Sequence, residues 1–449
     1  MTASSLVKHI AQVTNIDHNF SFQKLLFLLG LLFSPLVAQA DELSGANTAW
    51  IMSATALVLF MTLPGLALFY GGLVKKRNVL SILIQCFAIA GIASIVWLVI
   101  GYSIAFDTSN NNPYFGGMGK FMFNGIGENT LAADIPESLF AMFQMTFAII
   151  TPALIIGGFA ERMKFSSVLI FSTLWLILVY APITHWVWSD NGWLYKMGLL
   201  DFAGGTVVHV TAGVAALVAA IMVGPRKRFG TPHNMTMTVM GAGMLWVGWF
   251  GFNGGSALAA DGNGTMAMLV THISAATAAI TWMIYEWIKF GKPTALGTVT
   301  GMVAGLGTIT PASGFVGPAG ALVIGFVAGI VCFNAVIIIK QKWKIDDSLD
   351  VFPVHGVGGI IGTLMAGIFA STELGIFSGQ GFTNEKITSI VDQLSVQAIG
   401  VGSTFVYTAV VTFIILKLVG LLTGGLRVSL DEETQGLDII DHEERGYEL

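Results

Sequence analysis

Charge is what this sequence has least of. Only 10% of its 449 residues are Asp, Glu, Lys or Arg, against about 25% in soluble domains. A soluble fold of this size needs more, so the chain is read as facing lipid. The net charge of −5 supplies no basic surface, and no nucleic-acid partner is expected. Cysteine is nearly absent: Cys86 and Cys332 lie inside apolar runs, which excludes a disulfide framework and a thiolate metal site. No His-Glu-x-x-His occurs, so a zinc protease is excluded. Asn-Pro-Ala repeats, expected of a water or glycerol channel, are missing too. So is Cys-x-x-Cys-His, the attachment sequence for covalent haem.

What is present is apolar length. Hydrophobic residues make up 54% of the chain, and 54 residues are glycine, which lets membrane helices pack closely. Eleven apolar segments are long enough to cross a bilayer of about 30 Å. They run over 48–72, 79–104, 138–159, 165–187, 203–223, 236–256, 266–288, 295–311, 318–339, 354–371 and 395–421. Backbone groups in lipid must bond internally, so these are expected to be helices. A barrel is excluded because no ten-residue alternating segments occur. The fold class expected is therefore an all-α membrane protein.

Basic residues orient it. Loops on one side, starting after the first segment, carry thirteen lysines and arginines, from Lys75-Lys76-Arg77 to Lys344. Opposite loops carry three: Lys120, Lys196 and Lys386. The positive side faces the cytoplasm, giving an N-out, C-in topology. Residues 1–40 read as an N-terminal extension ending in a cleaved signal peptide. Lys24, the run Leu25–Val37 and Ala38-Gln39-Ala40 supply the parts. Residues 41–421 form the membrane domain, and 422–449 form a polar cytoplasmic tail.

Eleven spans divide as five, five and one, the count expected of an inverted repeat with a final helix. Asp201, His209 and Gly213 recur as Asp350, His355 and Gly359, although the Asp-to-His intervals differ. Ionisable groups inside spans are functional candidates by default. A lone buried histidine is often satisfied by a carbonyl, but two at equivalent repeat positions favour a shared path. Neutral imidazoles can donate or accept a hydrogen bond, which suits a small polar solute. Paired histidines could also ligate haem iron, but the glycine-rich surroundings suit helix packing better. His185 and His272 are read as structural or interfacial.

Several long stretches carry a resemblance. They are Pro64–Gly72, Gly158-Phe159-Ala160-Glu161-Arg162, Asp201–His209, Gly248–Ser256, Thr310-Pro311-Ala312 and Asp350–Val357. Taken in this order, they resemble the ammonium transporter, methylammonium permease and Rhesus family, and its bacterial ammonium transporter branch best. The resemblance implies a homotrimer in the inner (plasma) membrane that serves nitrogen uptake, with one pore per protomer. No enzyme activity and no cofactor are expected.

The resemblance also implies a site. Trp188, Phe147 and Ser256 would bind ammonium, or methylammonium as its analogue, at an outer aromatic box. A tryptophan face attracts a desolvated cation by about 2 kcal/mol. Phe143 and Phe147, with Phe252, would close the pore, and His209 and His355 would line it below. Asp201 would be a supporting acid. Each has a bland reading: a belt tryptophan, a packed pair of phenylalanines four apart, a helix N-cap. In the tail, Glu433, Gly436 and Asp438 match the family's Glu-x-x-Gly-x-Asp, which implies docking of a PII-type signalling protein. The function implied is ammonium transport by recruitment, deprotonation and ammonia conduction; the alternative is an ammonium sensor acting through a partner protein.

Overall fold

The computed structural model describes residues 42–447, and the expected signal segment lies outside them. Among the described residues ten helices are long and apolar enough to cross a membrane. They are α1 (Gly45–Leu73), α2 (Val79–Phe106), α3 (Glu137–Phe159), α4 (Phe165–Met197), α5 (Gly205–Val223), α6 (Met235–Gly254) and α7 (Gly262–Phe290). After α8 come α9 (Pro318–Lys342), α10 (Phe352–Phe369) and α11 (Ile390–Leu422). Between α7 and α9 lies α8 (Ala295–Ile309), apolar but only 15 residues long. At about 1.5 Å per residue it is about 22 Å long, short of a full bilayer core. Thr294 caps its start, accepting from Gly297 N at 2.9 Å, and Thr310-Pro311 ends it. All eleven expected segments are thus helical in the structure.

Position in the bundle follows side-chain size. Helices α3 and α5 are buried nearly all round, whereas α11 is mostly exposed. The inner half of α5 reads Thr211-Ala-Gly-Val-Ala-Ala, small residues that let neighbours approach from every side. The 33-residue α11 is longer than the bilayer core is thick and begins with Ser389 as cap, accepting from Asp392 N at 3.2 Å.

The helices are not uniform. Helix α1 is kinked within Met61–Leu66, where Leu63 leaves helical geometry, and widened turns of the i→i+5 kind, often found at functional sites, interrupt α4 at Leu176–Tyr180 and α5 at Gly205–Val210. They also interrupt α6 at Phe250–Gly254, α9 at Ile338–Lys342 and α10 at Phe352–Gly356. Two pairs lie five helices apart, α4 with α9 and α5 with α10, while the turn in α6 answers the kink in α1. A further one in α2, at Trp97–Gly101, has no partner in α7. Both candidate histidines lie within such turns.

Candidate functional site

The candidate residues form one column. Trp188, at the end of the regular part of α4, meets Phe147 edge-on, with ring centroids 5.8 Å apart. Phe147 touches Phe143 at 5.0 Å and Phe252 at 4.3 Å. Phe252 lies 6.2 Å from His209, and His209 stacks on His355 at 5.2 Å with an interplanar angle of 14°. Phe143, Phe147 and Phe252 are fully buried, so the aromatic contacts leave the column closed there. Ser256 is half-buried, and its hydroxyl donates to Phe252 O at 2.8 Å, which leaves the oxygen able to accept.

The histidine pair shares a proton. Nδ1 of His355 lies 3.2 Å from Nδ1 of His209, so one nitrogen donates and the other accepts. Protons on both Nδ1 atoms would oppose each other, so at most one of the two carries a proton. His209 Nε2 is buried without a partner and borders a slot of about 10 Å³, room for one water-sized molecule. Too narrow for a macrocycle, the slot gives the haem alternative no place. Among the described residues no cluster of three His, Cys, Asp or Glu could hold a metal.

Two glycines make the pair possible. A Cβ on Gly359 would sit 2.8 Å from Gly205 O and 2.9 Å from His209 Cβ. On Gly213 it would meet Gly356 backbone and lie 3.3 Å from His355 C. Each histidine is thus followed, four residues on, by a glycine against which the other histidine's helix packs. This reciprocity explains why His209–Gly213 is echoed by His355–Gly359.

The acids tell a corrected story. Asp201 caps α5: Oδ1 accepts from Gly204 N at 2.8 Å and Gly205 N at 2.6 Å. Its Oδ2 accepts from Thr206 N at 2.7 Å, Val207 N at 3.3 Å and the Thr206 hydroxyl. Its carbonyl accepts from Trp188 Nε1 at 2.9 Å. The counterpart in α10 is not Asp350 but Asp347, whose Oδ2 accepts from Phe352 N at 2.7 Å. The Asp347–His355 interval of eight residues equals that of Asp201–His209. Asp350 instead turns away at φ +60° and pairs with Lys340 at 2.7 Å. Three acids within five residues, Asp346, Asp347 and Asp350, left the sequence unable to tell them apart. Burial, with the charge of Asp350 adding to it, pushes the Asp347 carboxyl up to about 7.

Sequence reasoning gave Trp249 no role. Its ring lies 5.6 Å from His209 at 17°, anchored by Nε1–H to Thr310 Oγ1 at 2.9 Å. Both residues fall in quoted motifs, but only the fold turns one toward the other. Beyond His355 the slot is followed by a wider vestibule of about 220 Å³, bordered by Phe69, Tyr70, Val303, Ser348 and Asp350.

The far end of α5 meets the tail. Arg162 is completely buried and donates to Gly224 O, Ser348 Oγ and Asp346 O at 2.6–2.7 Å. Burial lowers its pKa to about 10, still charged at neutral pH. Arg226 bridges Glu161 and Asp346 at 2.8 Å each. Burial opposes the charge of Asp346, but bonds from Arg226 outweigh it and hold the carboxyl below its ordinary value. The tail is ordered as α12 (Leu430–Gln435) and α13 (Leu437–His442). Glu433 accepts from Lys227 N and Arg427 Nη2 at 2.7 Å each. Asp438 accepts from Ser81 N at 2.8 Å. Gly436, at φ +104°, passes so close to Arg77 that a Cβ would lie 2.6 Å from the arginine's own. All three motif residues therefore hold the tail against the loops after α1 and α5 and the first turn of α2.

Comparison with known proteins gives a consistent answer. The Ammonium Transporter Family profile matches residues 49–447. The ammonium transporter of Bacillus subtilis is 45% identical over 406 residues, covering 90% of this chain and 98% of that protein. Ammonium transporter Amt1 of Archaeoglobus fulgidus is 45% identical over 409 residues, covering 90% and 100%. The crystal structure of Candida albicans Mep2 superposes with a TM-score of 0.79 at 34% identity, covering 87% of this chain and 88% of that one. A structure titled Sensor Amt Protein gives 0.81 at 32% identity, covering 88% and 98%.

Proposed function

This chain belongs to the ammonium transporter family, and from that premise we propose that it recruits ammonium at Trp188, strips a proton and conducts ammonia past His209 and His355. It is a multi-pass membrane protein, and its relatives are named as transporters rather than enzymes. The observation that carries the proposal is the unbroken column from Trp188 through Phe147 and Phe252 to the histidine pair.

Solvation energy decides what passes. A cation moved into an apolar lumen loses several kcal/mol or more of hydration; neutral ammonia loses far less. Potassium resembles ammonium in size and charge but has no proton to give up, so a step that demands deprotonation rejects it. The Trp188 face and the Ser256 oxygen suit a cation shedding water. Phe143, Phe147 and Phe252 act as a gate that must part. The partnerless His209 Nε2 then offers one hydrogen bond in a slot sized for a single small molecule.

Orientation and assembly belong to the same proposal. The basic loops and the tail face the cytoplasm, the Trp188 end faces outward, and the membrane is the cell's inner (plasma) membrane. Helices α1–α5 and α6–α10 form an inverted repeat, supported by the paired widened turns, with α11 added. Three copies assemble, and the ordered tail with its loops forms a dock for a PII-type protein. The likeness to a structure titled Sensor Amt Protein favours one second reading, ammonium sensing through such a partner.

Methylammonium uptake in cells lacking their own ammonium transporters tests transport. Uptake is expected; none, with the protein correctly inserted, moves the assignment to sensing. Currents on solid-supported membranes test whether His209 also takes and hands on the proton that ammonium gives up: an unchanged ammonium current in His209→Ala sinks that role.

A further inference from the structure

The segment that carries Asp201 is gripped from one side by α11. Gln397 is completely buried, and its amide reads Leu200 as a strand would. Oε1 accepts from Leu200 N at 2.9 Å, and Nε2 donates to Leu200 O at 2.9 Å. The same Nε2 donates to Thr363 O of α10 at 2.7 Å. Gln393, one turn earlier, donates to Gly198 O at 2.9 Å and to Gln397 Oε1 at 3.0 Å. Leu199 packs against Gly400 of the same helix. The residue after Leu200 is Asp201, whose carbonyl holds the Trp188 indole.

We propose that Gln397 is a positioning residue for cation recruitment: its amide fixes the Leu200–Asp201 backbone, and that backbone fixes the face Trp188 presents. The assignment rests on Trp188 being the recruitment site. The corresponding segment before α10 is held differently, by the Arg162 guanidinium on Asp346 O and Ser348 Oγ. A cationic clamp beside Trp188 would repel ammonium; a neutral amide gives equal hold without competing charge. This also gives α11, which has no partner in the five-plus-five scheme, a task at one mouth only.

The test is methylammonium uptake by Gln397→Met, Trp188→Leu and the double variant, reading KM against maximal rate. Trp188→Leu is expected to raise KM. Gln397→Met is expected to raise KM about fivefold and change the maximal rate less than about twofold, the signature of lost binding rather than lost protein. In the double variant KM should rise no further than in Trp188→Leu, because coupled residues are not additive. An unchanged KM in Gln397→Met, or a shift that adds in full to that of Trp188→Leu, overturns the proposal. If Trp188→Leu leaves KM unaltered, the recruitment reading itself fails. Should Gln397→Met not insert, Gln397→Asn decides: its amide is one methylene short of Leu200, so KM should rise with the maximal rate little changed, and an unchanged KM overturns the proposal.

Discussion

Replacing Asp201 separates capping from chemistry. Its two oxygens serve four backbone N–H groups and one hydroxyl, at a site only 6% exposed. In Asp201→Ala all four N–H groups lose their partner. A buried donor left unsatisfied costs about 1–3 kcal/mol, so the loss of four is about 4–12 kcal/mol before water enters. In Asp201→Asn one oxygen remains. Whichever way the amide turns, its NH2 faces two or three donors and at least two groups lose their acceptor, a cost of about 2–6 kcal/mol. Thermal unfolding of the solubilised protein should rank wild type above Asn above Ala. Uptake should fall in the same order, because α5 carries His209 and the Asp201 carbonyl holds Trp188. An Asn variant with wild-type melting and no uptake would refute the reasoning, since the carboxylate would then do chemistry that capping does not explain.

Three further outcomes are expected. Gly359→Ala drives a methyl against Gly205 O, a backbone atom that cannot swing aside; it should cost about 1–3 kcal/mol and slow uptake, whereas Gly243→Ala, whose Cβ meets nothing within 4 Å, should do neither in melting and uptake assays. Asp347 has a folded pKa of about 7, above its unfolded value of about 4. The stability it contributes is therefore present below about pH 4 and lost as pH rises through about 7, so the melting temperature of Asp347→Asn should gain on wild type across that window; a constant difference contradicts the assignment. Gly436→Ala meets both a left-handed φ and the Arg77 side chain. It should loosen the tail, seen as faster tryptic cleavage at Arg427 and, with deletion of residues 427–449, as lost capture of a PII-type protein.

Much of this molecule is legible in its sequence because lipid imposes a simple rule. A backbone that cannot bond to water must form helices, so eleven apolar runs become eleven helices, with ends that differ by a few residues, as where Ser389 caps an earlier start of α11, and by ten at the end of α4. His209 and His355 were visible for the same reason: an ionisable group in an apolar run stands out. Gly213 and Gly359 were visible as an echo, but their purpose was not, since a close approach depends on which helices cross.

What the sequence by itself determined was therefore the set of helices, the family and the identity of the unusual polar residues, all of which follow from local composition and order. What only the tertiary structure decided was who faces whom. It placed Trp249 on His209, chose Asp347 over Asp350 as the cap of α10, and tied Asp201 to Trp188 directly and its neighbour Leu200 to Gln397. Those pairings span up to 197 residues, between Leu200 and Gln397, and hydrogen bonds over such separations are set by how helices pack, which no local pattern encodes.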